Sequence, residues 1–191
     1  MCKELLHKKV RNAIVDLRKS SGTIPGVTTT SSPRGSGPDG VRWLDADEQR
    51  AWRSLVELLA ELHGEQEGAL EQGHGINEGE YGVLVSLSEA PEHRLRMCDL
   101  AQRMRMSPSG LTRRIDGMVK HGWVAREPSA EDRRVMLAVI TDDGMAKLEA
   151  AAPTHVEAVR RSLFDHLTPD DVRTLTEVLG RARASRGDTG F

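Results

Sequence analysis

The sequence predicts a mainly α-helical protein with a small antiparallel β-wing. Three observations lead to this fold class. Apolar residues recur at helical spacing in long stretches on both sides of the chain's centre. A β-rich run, residues 135–140, follows a shorter strand-like segment at the distance of a hairpin. Between these parts, a Ser-Pro pair and a later glycine mark the two ends of one short helix.

A basic extension, residues 1–40, precedes the predicted folded domain, residues 41–184. Its first 18 residues mix aliphatic side chains with lysine and arginine and can form a short amphipathic helix. Residues 20–40 are rich in glycine, proline, serine and threonine, which indicates a flexible linker. Three interpretations of the first segment stay open: an unfolded tail or over-long start, a helix packed on a dimer, and an arm that contacts DNA or a membrane surface.

Two helices are predicted before the centre of the chain. The first covers residues 43–72, with Asp45 or Asp47 as its cap and an apolar stripe wide enough to pack on two neighbours. Asn77 caps the second, and Glu80 three residues later completes a capping box. The wide stripe of the first helix suits pairing with a second copy of the chain.

A short amphipathic helix is predicted next, from Leu95 to Met104. Cys98 lies on it, close to Arg94 and Arg96. Because basic neighbours lower the pKa of a thiol, a redox switch is one interpretation. The apolar residues around Cys98 favour the other interpretation, a buried core cysteine.

The following helix has clear ends and two contrasting faces. Ser107 is a suitable N-cap, Pro108 fits the first helical position and Gly122 fits the left-handed residue that ends a helix. Small and hydroxyl-bearing residues let a backbone approach DNA, and arginines reach bases or phosphates. The residues that we expect to contact DNA are Ser107, Ser109, Gly110, Thr112, Arg113 and Arg114. The alternative is a capped, solvated surface helix with two exposed arginines, and the helix alone favours neither.

A hairpin follows this helix. Residues 123–126 and 133–141 are strand-like, and residues typical of a turn separate them. We expect Asp132 to pair with a nearby arginine and so stiffen the hairpin tip. Arg133 or Arg134 is then available to enter a narrow minor groove.

The order helix, turn, helix and ribbon predicts a winged helix-turn-helix, whose second helix lies in a DNA major groove. We term residues 93–141 the reading head. The reading head has ten basic and five acidic residues, whereas residues 41–92 have three basic and twelve acidic ones. The net charge of the whole chain is only -2, but attraction to phosphates depends on the local face.

Two further helices are predicted after the wing. Thr141 caps the first of them, and Pro153 falls in its middle, where it can kink the helix. Residues 43–72 and 142–184 form the predicted dimerisation helices. Residues 185–191 form a tail.

The wing carries the features of a known family. The run Asp132-Arg133-Arg134, followed by Leu137, Ile140-Thr141 and Gly144, resembles the wing signature of the MarR family, the multiple-antibiotic-resistance type regulators. The segments Gly-Trp-Val-Ala-Arg and Ser-Pro-Ser-Gly-Leu-Thr-Arg are similar to that family too, and the resemblance covers residues 43–184. It implies a homodimeric, sequence-specific DNA-binding transcriptional regulator. In that family the recognition helix and the wing arginine contact DNA, and the flanking helices dimerise.

The resemblance also implies a repressor that a small ligand releases from a pseudo-palindromic operator in double-stranded DNA. In the family such ligands lodge where the dimer body meets the reading head. On this chain we expect a small aromatic or phenolic ligand, bound by Trp43, Trp52, Tyr81 and Arg94 or Arg96. The alternative is that these aromatic residues only pack in the core.

The rival function is a winged-helix protein-interaction module that does not bind DNA. Such a module would expose apolar residues where this chain has Arg113/Arg114 and Arg133/Arg134. An enzyme is not expected, because the sequence has no nucleophile elbow, P-loop or dinucleotide motif. Seven histidines and two cysteines lack the spacing of a metal site, so we expect neither metal nor cofactor. No apolar run is long enough for a membrane span or signal peptide, which predicts a cytoplasmic protein.

Overall fold

A computed structural model of the chain describes residues 41–184. In chain order its elements are α1 (Ala46–His74), α2 (Glu78–Ser88), β1 (Arg94–Arg96), α3 (Met97–Arg103), α4 (Pro108–Lys120), β2 (Val124–Pro128), β3 (Met136–Ile140), α5 (Asp142–Ser162) and α6 (Pro169–Ala184). The helix and linker predicted in residues 1–40, and the tail at residues 185–191, lie outside the described residues.

The chain divides into two compact units after Asp47. Of the first unit the structure describes residues 41–47, which are all exposed. Within them Asp45 Oδ1 accepts a hydrogen bond from the amide of Asp47 at 2.9 Å. This bond satisfies an amide at the start of α1, as predicted for a capping aspartate.

The three strands form one antiparallel sheet in the order β1-β3-β2. Strand β2 pairs with β3 along its whole length, and β1 adds to the other edge of β3 around Leu95 and Ala138. The predicted fold class is confirmed: the described chain is mainly helical and carries a small antiparallel wing. No helix within residues 41–184 has both the length and the apolar content to cross a membrane.

Several predicted boundaries were wrong. The first helix was expected from residue 43, but α1 begins at Ala46. The sequence predicts a helix from Leu95, but Leu95 lies in β1 and α3 begins only at Met97. It also predicts a strand from Arg133, but β3 begins at Met136, so Arg133 and Arg134 lie in the wing loop. Strand β1 is three residues long and pairs with residues some forty positions later, so no local periodicity marks it.

The hydrophobic core joins α2, the reading head and the first half of α5. Its fully buried side chains include Leu84, Leu87, Leu100, Leu111, Ile115, Met118 and Ala138. Helix α1 contributes only Leu70 to the buried set, while Trp52, Leu55 and Leu59 on the same helix stay exposed. Most of the wide apolar stripe predicted for α1 is therefore left exposed by the residues that the structure describes.

The expectation that Cys98 is buried was wrong. Cys98 is exposed, and its thiol lies 3.3 Å from Asp99 Oδ1. Helix α3 turns Leu100 and Ala101 towards the core, and a helix this short has no second buried face. Because α3 begins at Met97 rather than at Leu95, Cys98 falls on its outer side.

The predicted helix caps are confirmed. Asn77 Oδ1 accepts from the amide of Glu80 (2.9 Å), and the carboxylate of Glu80 accepts from the amide of Asn77 (3.1 Å), which completes the capping box. Ser107 Oγ accepts from the amide of Gly110 at 3.2 Å, and Thr141 Oγ1 accepts from a first-turn amide of α5 at 3.0 Å. These side chains fix where α2, α4 and α5 begin.

A tight joint connects the reading head to α5. Gly122 ends α4 with φ +77, and its carbonyl accepts a hydrogen bond from Thr141 Oγ1 at 2.6 Å. The carbonyl of Trp123 accepts from the amide of Thr141 at 3.1 Å. A Cβ on Gly144 would overlap that Trp123 oxygen, and Lys147 Nζ lies 4.9 Å from the centre of the Trp123 ring. The first turn of α5 thus rests directly on the backbone between α4 and β2.

Candidate nucleic-acid interface

The N-terminal half of α4 presents a small, polar surface. Ser107, Ser109, Thr112 and Arg113 are exposed, and Gly110 is half-buried. Two of the hydroxyls are already engaged with the helix: Ser107 Oγ caps it, and Thr112 Oγ1 donates to the carbonyl of Pro108 at 2.9 Å. The exposed charge on this part of α4 is therefore the guanidinium of Arg113.

The next residue, Arg114, points elsewhere. Its side chain is half-buried, and its Nη1 donates to Asn77 Oδ1 at the start of α2, at a distance of 2.7 Å. Its Nε is buried without a hydrogen-bond partner. The two arginines expected to act together are thus separated by the structure, Arg113 towards solvent and Arg114 towards α2.

The wing loop, residues 129–135, carries Arg133 and Arg134 at an exposed position. Asp132 Oδ1 accepts from the backbone amide of Arg134 at 2.9 Å, and the Asp132 carbonyl accepts from the amide of Val135 at 2.9 Å. Asp132 therefore stiffens the tip through the backbone of the turn, whereas the sequence predicts a side-chain pair with an arginine. Within residues 41–184, no carboxylate lies within ion-pair distance of Arg133 or Arg134.

A further arginine connects the wing to α4. Arg126 on β2 donates through Nη2 to the carbonyl of Thr112 (3.1 Å), and its Nη1 lies 2.7 Å from Asp116 Oδ1. Sequence reasoning missed this contact and treated Arg126 only as part of a strand. Because one guanidinium holds both a backbone carbonyl and a carboxylate of α4, the wing and α4 are held as one surface.

Of the residues expected to bind a ligand, those within residues 48–184 do not form one site. Trp43 and Trp52 are exposed. Arg94 and Arg96 lie on β1, where they pair with Glu127 at 3.6 Å and with Glu131 at 3.8 Å. Tyr81 alone among the five lines a sizeable cleft.

This cleft has a volume of about 1030 Å³ and lies between α1, α2, α5 and the turn that follows α3. Its lining includes Leu59, His63, Glu78, Tyr81, Met104, Arg105 and His155. The rings of Tyr81 and His155 lie 4.5 Å apart, and His155 Nδ1 is buried with no hydrogen-bond partner. Sequence reasoning missed His155, because the cleft joins residues more than seventy positions apart.

Burial controls the charge state of this ring pair. It raises the pKa of Tyr81 above its usual value. It also lowers the pKa of His155, and the negative charge of Glu78 opposes that shift only in part. Both rings are therefore neutral near pH 7, which leaves an apolar aromatic wall with one unused nitrogen.

Comparisons with known proteins agree with this architecture. The family model of the MarR family matches residues 76–136. Sco3205 from Streptomyces coelicolor, a MarR family transcriptional regulator solved in complex with DNA, is 37% identical, with 77% of this chain and 96% of that chain covered and a TM-score of 0.71. AbsC, a MarR family regulator from the same organism, is 38% identical, with 78% and 100% covered and a TM-score of 0.71. The HTH-type transcriptional repressor YetL of Bacillus subtilis (strain 168) is 26% identical over 72% of this chain and 81% of its own length.

The fold and the exposed polar end of α4 beside a basic wing define a winged helix-turn-helix transcriptional regulator. Two relatives above 30% identity are covered over 96% and 100% of their own lengths. The chain belongs to the MarR family of transcriptional regulators, a family of regulators and not of enzymes.

Proposed function

We propose that this protein is a homodimeric repressor that binds a pseudo-palindromic operator in double-stranded DNA and that a small ligand releases. The observation that carries the proposal is the placement of Arg113 on the exposed side of α4, together with Arg133 and Arg134 at the wing tip. None of the three has a carboxylate partner within the part of the chain that the structure describes. Unpaired guanidiniums on one basic surface are what phosphates and base edges require. The cytoplasmic location expected from the sequence belongs to the same proposal.

The exposed apolar residues argue against the rival, a protein-interaction module. Within the reading head the exposed large hydrophobic side chains are Val119 and Met136, and neither adjoins a second one in the sequence. The other large exposed hydrophobic residues are on the flanking elements. The reading head therefore offers charge rather than apolar area. The deciding experiment is a gel shift with the DNA upstream of the protein's own coding sequence, with a scrambled fragment as the control.

The flanking helices support the dimer. Exposed apolar side chains occur on α1 (Trp52, Leu55, Val56, Leu59), on α5 (Val156) and on α6 (Val178, Leu179). A face of this kind needs a partner, and a two-fold dimer would place two recognition helices about 34 Å apart, one turn of DNA.

Light scattering at micromolar concentration is expected to show a dimer. Val178→Glu places a charge within the exposed apolar face of α6 and should shift the protein towards monomer. Ala184→Glu is the matched control, because at about 100° per residue its exposed side chain lies about 120° from Val178 and about 140° from Leu179 around the helix. A wild-type protein that is monomeric throughout, or an equal effect of both substitutions, would contradict the proposed interface.

The cleft is the proposed effector site. Tyr81 and His155 offer an aromatic wall, Met104 adds an adaptable apolar contact and Arg105 is exposed at the rim. This combination fits a small aromatic or phenolic acid, whose ring packs on the wall while its carboxylate faces the arginine. A ligand acts on DNA binding only if it binds one arrangement of the two reading heads better than the other.

Calorimetric titration with a hydroxybenzoic acid tests the site. His155→Leu is expected to weaken binding about tenfold or more, because it removes the buried nitrogen that has no other partner. His166→Leu, which removes an exposed histidine that does not line the cleft, should leave binding unchanged. Equal affinities of the two variants would place the ligand elsewhere.

A further inference from the structure

The guanidinium of Arg114 packs against the start of α2, on a small site formed by Asn77 and Gly79 that we term the Arg114 seat. Its Nη1 and the amide of Glu80 both donate to the same atom, Asn77 Oδ1, at 2.7 and 2.9 Å. The guanidinium lies so close over Gly79 that a Cβ there would overlap it. Any larger residue at position 79 would therefore displace Arg114 from its hydrogen bond.

This seat is an unfavourable place for a cation. The N-terminus of a helix carries partial positive charge, which disfavours an arginine. The buried Nε of Arg114 also has no hydrogen-bond partner, a further penalty. Glu78 and Glu80 in the first turn of α2 offset part of the charge. An arrangement that breaks local rules in this way indicates a role other than stability.

The geometry indicates what that role is. Successive residues of a helix lie about 100° apart around its axis, so the direction of Arg114 fixes the direction of Arg113. With Arg114 held against α2, Arg113 faces solvent. On the wing side, Arg126 holds the Thr112 carbonyl and the Asp116 carboxylate. Two guanidiniums thus hold α4, one towards α2 and one towards the wing.

We propose that Arg114 is a positioning residue for DNA recognition: its contact with Asn77 over Gly79 sets the rotation of α4 and so aims Arg113 at the bases. The inference rests on the proposed DNA-binding function. It assigns Arg114 no contact with DNA, although its neighbour makes one.

Two variants remove the contact in different ways. Gly79→Ala pushes the guanidinium out of its seat while keeping its charge and every residue on the exposed face of α4. Arg114→Met removes the charge and keeps most of the apolar stem. Both are expected to lower the preference for the upstream DNA over a scrambled fragment by about fivefold to tenfold. Gly180→Ala, on α6 outside the reading head and with no atom within 4 Å of its new Cβ, is the control and should leave the preference unchanged.

The salt dependence of binding distinguishes positioning from contact. If Arg114 touches no phosphate, Gly79→Ala and Arg114→Met leave the slope of log K against log salt unchanged, whereas loss of a phosphate contact lowers it by about one. Asn77→Ser keeps a capping hydroxyl, but the serine is too short to reach Arg114. It should therefore lower the preference for the upstream DNA. The double variant Asn77→Ser/Arg114→Met should show no larger loss than Arg114→Met alone. Melting curves of all variants show that the loss does not come from unfolding.

Three outcomes would overturn the inference. A lower salt slope for Arg114→Met would make Arg114 a phosphate contact. Normal preference in both Gly79→Ala and Arg114→Met would show that the seat does not aim Arg113. If the wild-type protein bound neither fragment, the proposed DNA-binding function itself would be wrong. This result is distinct from the first two, in which the wild-type protein binds DNA.

Discussion

Replacing Gly144 by alanine is expected to lower the free energy of unfolding by about 3 kcal/mol. The new Cβ would overlap the carbonyl oxygen of Trp123 and would come within 2.9 Å of Ile140 Cγ1. The Trp123 oxygen belongs to the backbone and is already bonded to the amide of Thr141 at 3.1 Å, so it cannot rotate away as a side chain would. To make room, α5 must lift from the reading head and give up the bond between Thr141 and Gly122.

Urea denaturation followed by circular dichroism measures this loss. The control is Gly117→Ala, the same substitution in a helix but in open space. Alanine is the better helix former, so this variant should be more stable than the wild type by about 0.5–1 kcal/mol. Protein concentration must be held constant, because the proposed dimerisation would add to apparent stability. Equal midpoints for Gly144→Ala and the wild type would mean that α5 does not rest on Trp123 as described.

Replacing Arg113 by alanine is expected to weaken operator binding by about 1–3 kcal/mol and to relax the preference at one base position in each half-site. The exposed guanidinium at the N-terminal half of α4 can make a bidentate contact with a guanine edge. Replacing Arg133 or Arg134 should instead weaken binding to all sequences more evenly and lower the salt slope by about one per wing. Asp132→Ala should give a milder version of the wing effect, because it loosens the turn that presents Arg134.

Binding to the upstream fragment and to scrambled DNA across a salt series separates these roles. Arg181→Ala on α6 removes the same charge outside the reading head and should have little effect. If Arg113→Ala left the preference intact while a wing substitution abolished it, the two roles would be reversed. If no substitution altered DNA binding, the interaction-module interpretation would replace the regulator.

Local signals predicted both ends of α4. Helix α4 begins and ends where Ser107 and Gly122 predict, since a cap is determined by a few neighbouring residues. Contacts between residues far apart in the sequence were harder to predict. Strand β1 exists only because β3 pairs with it, and the direction of Arg114 depends on Asn77, 37 positions earlier. Arg113 and Arg114 look equivalent in the sequence, and only the packing of α2 separates them.

The grouping of residues around the cleft also depends on non-local contacts. Tyr81 was expected to bind a ligand and lines the cleft. Its aromatic partner His155 lies on α5, which follows the reading head in the sequence. Arg94 and Arg96 were expected to bind a ligand because of their charge. In the structure they form ion pairs with Glu127 and Glu131 of the wing. Composition identifies candidate residue types, while the grouping of those types depends on which elements pack together.

The first two residues of α2, Glu78 and Gly79, contact both the cleft lining and another helix. Glu78 and Gly79 line the cleft, Glu78 pairs with His63 of α1 at 2.8 Å, and Gly79 seats Arg114 of α4. A molecule in the cleft would therefore contact Gly79, which also supports Arg114 of the helix proposed to bind DNA. Thermodynamic linkage makes any effect of that molecule on DNA binding mutual: the factor by which an effector weakens DNA binding is the factor by which DNA weakens effector binding. A cell with many copies of the operator would then need a higher effector concentration to occupy the protein than purified protein needs alone.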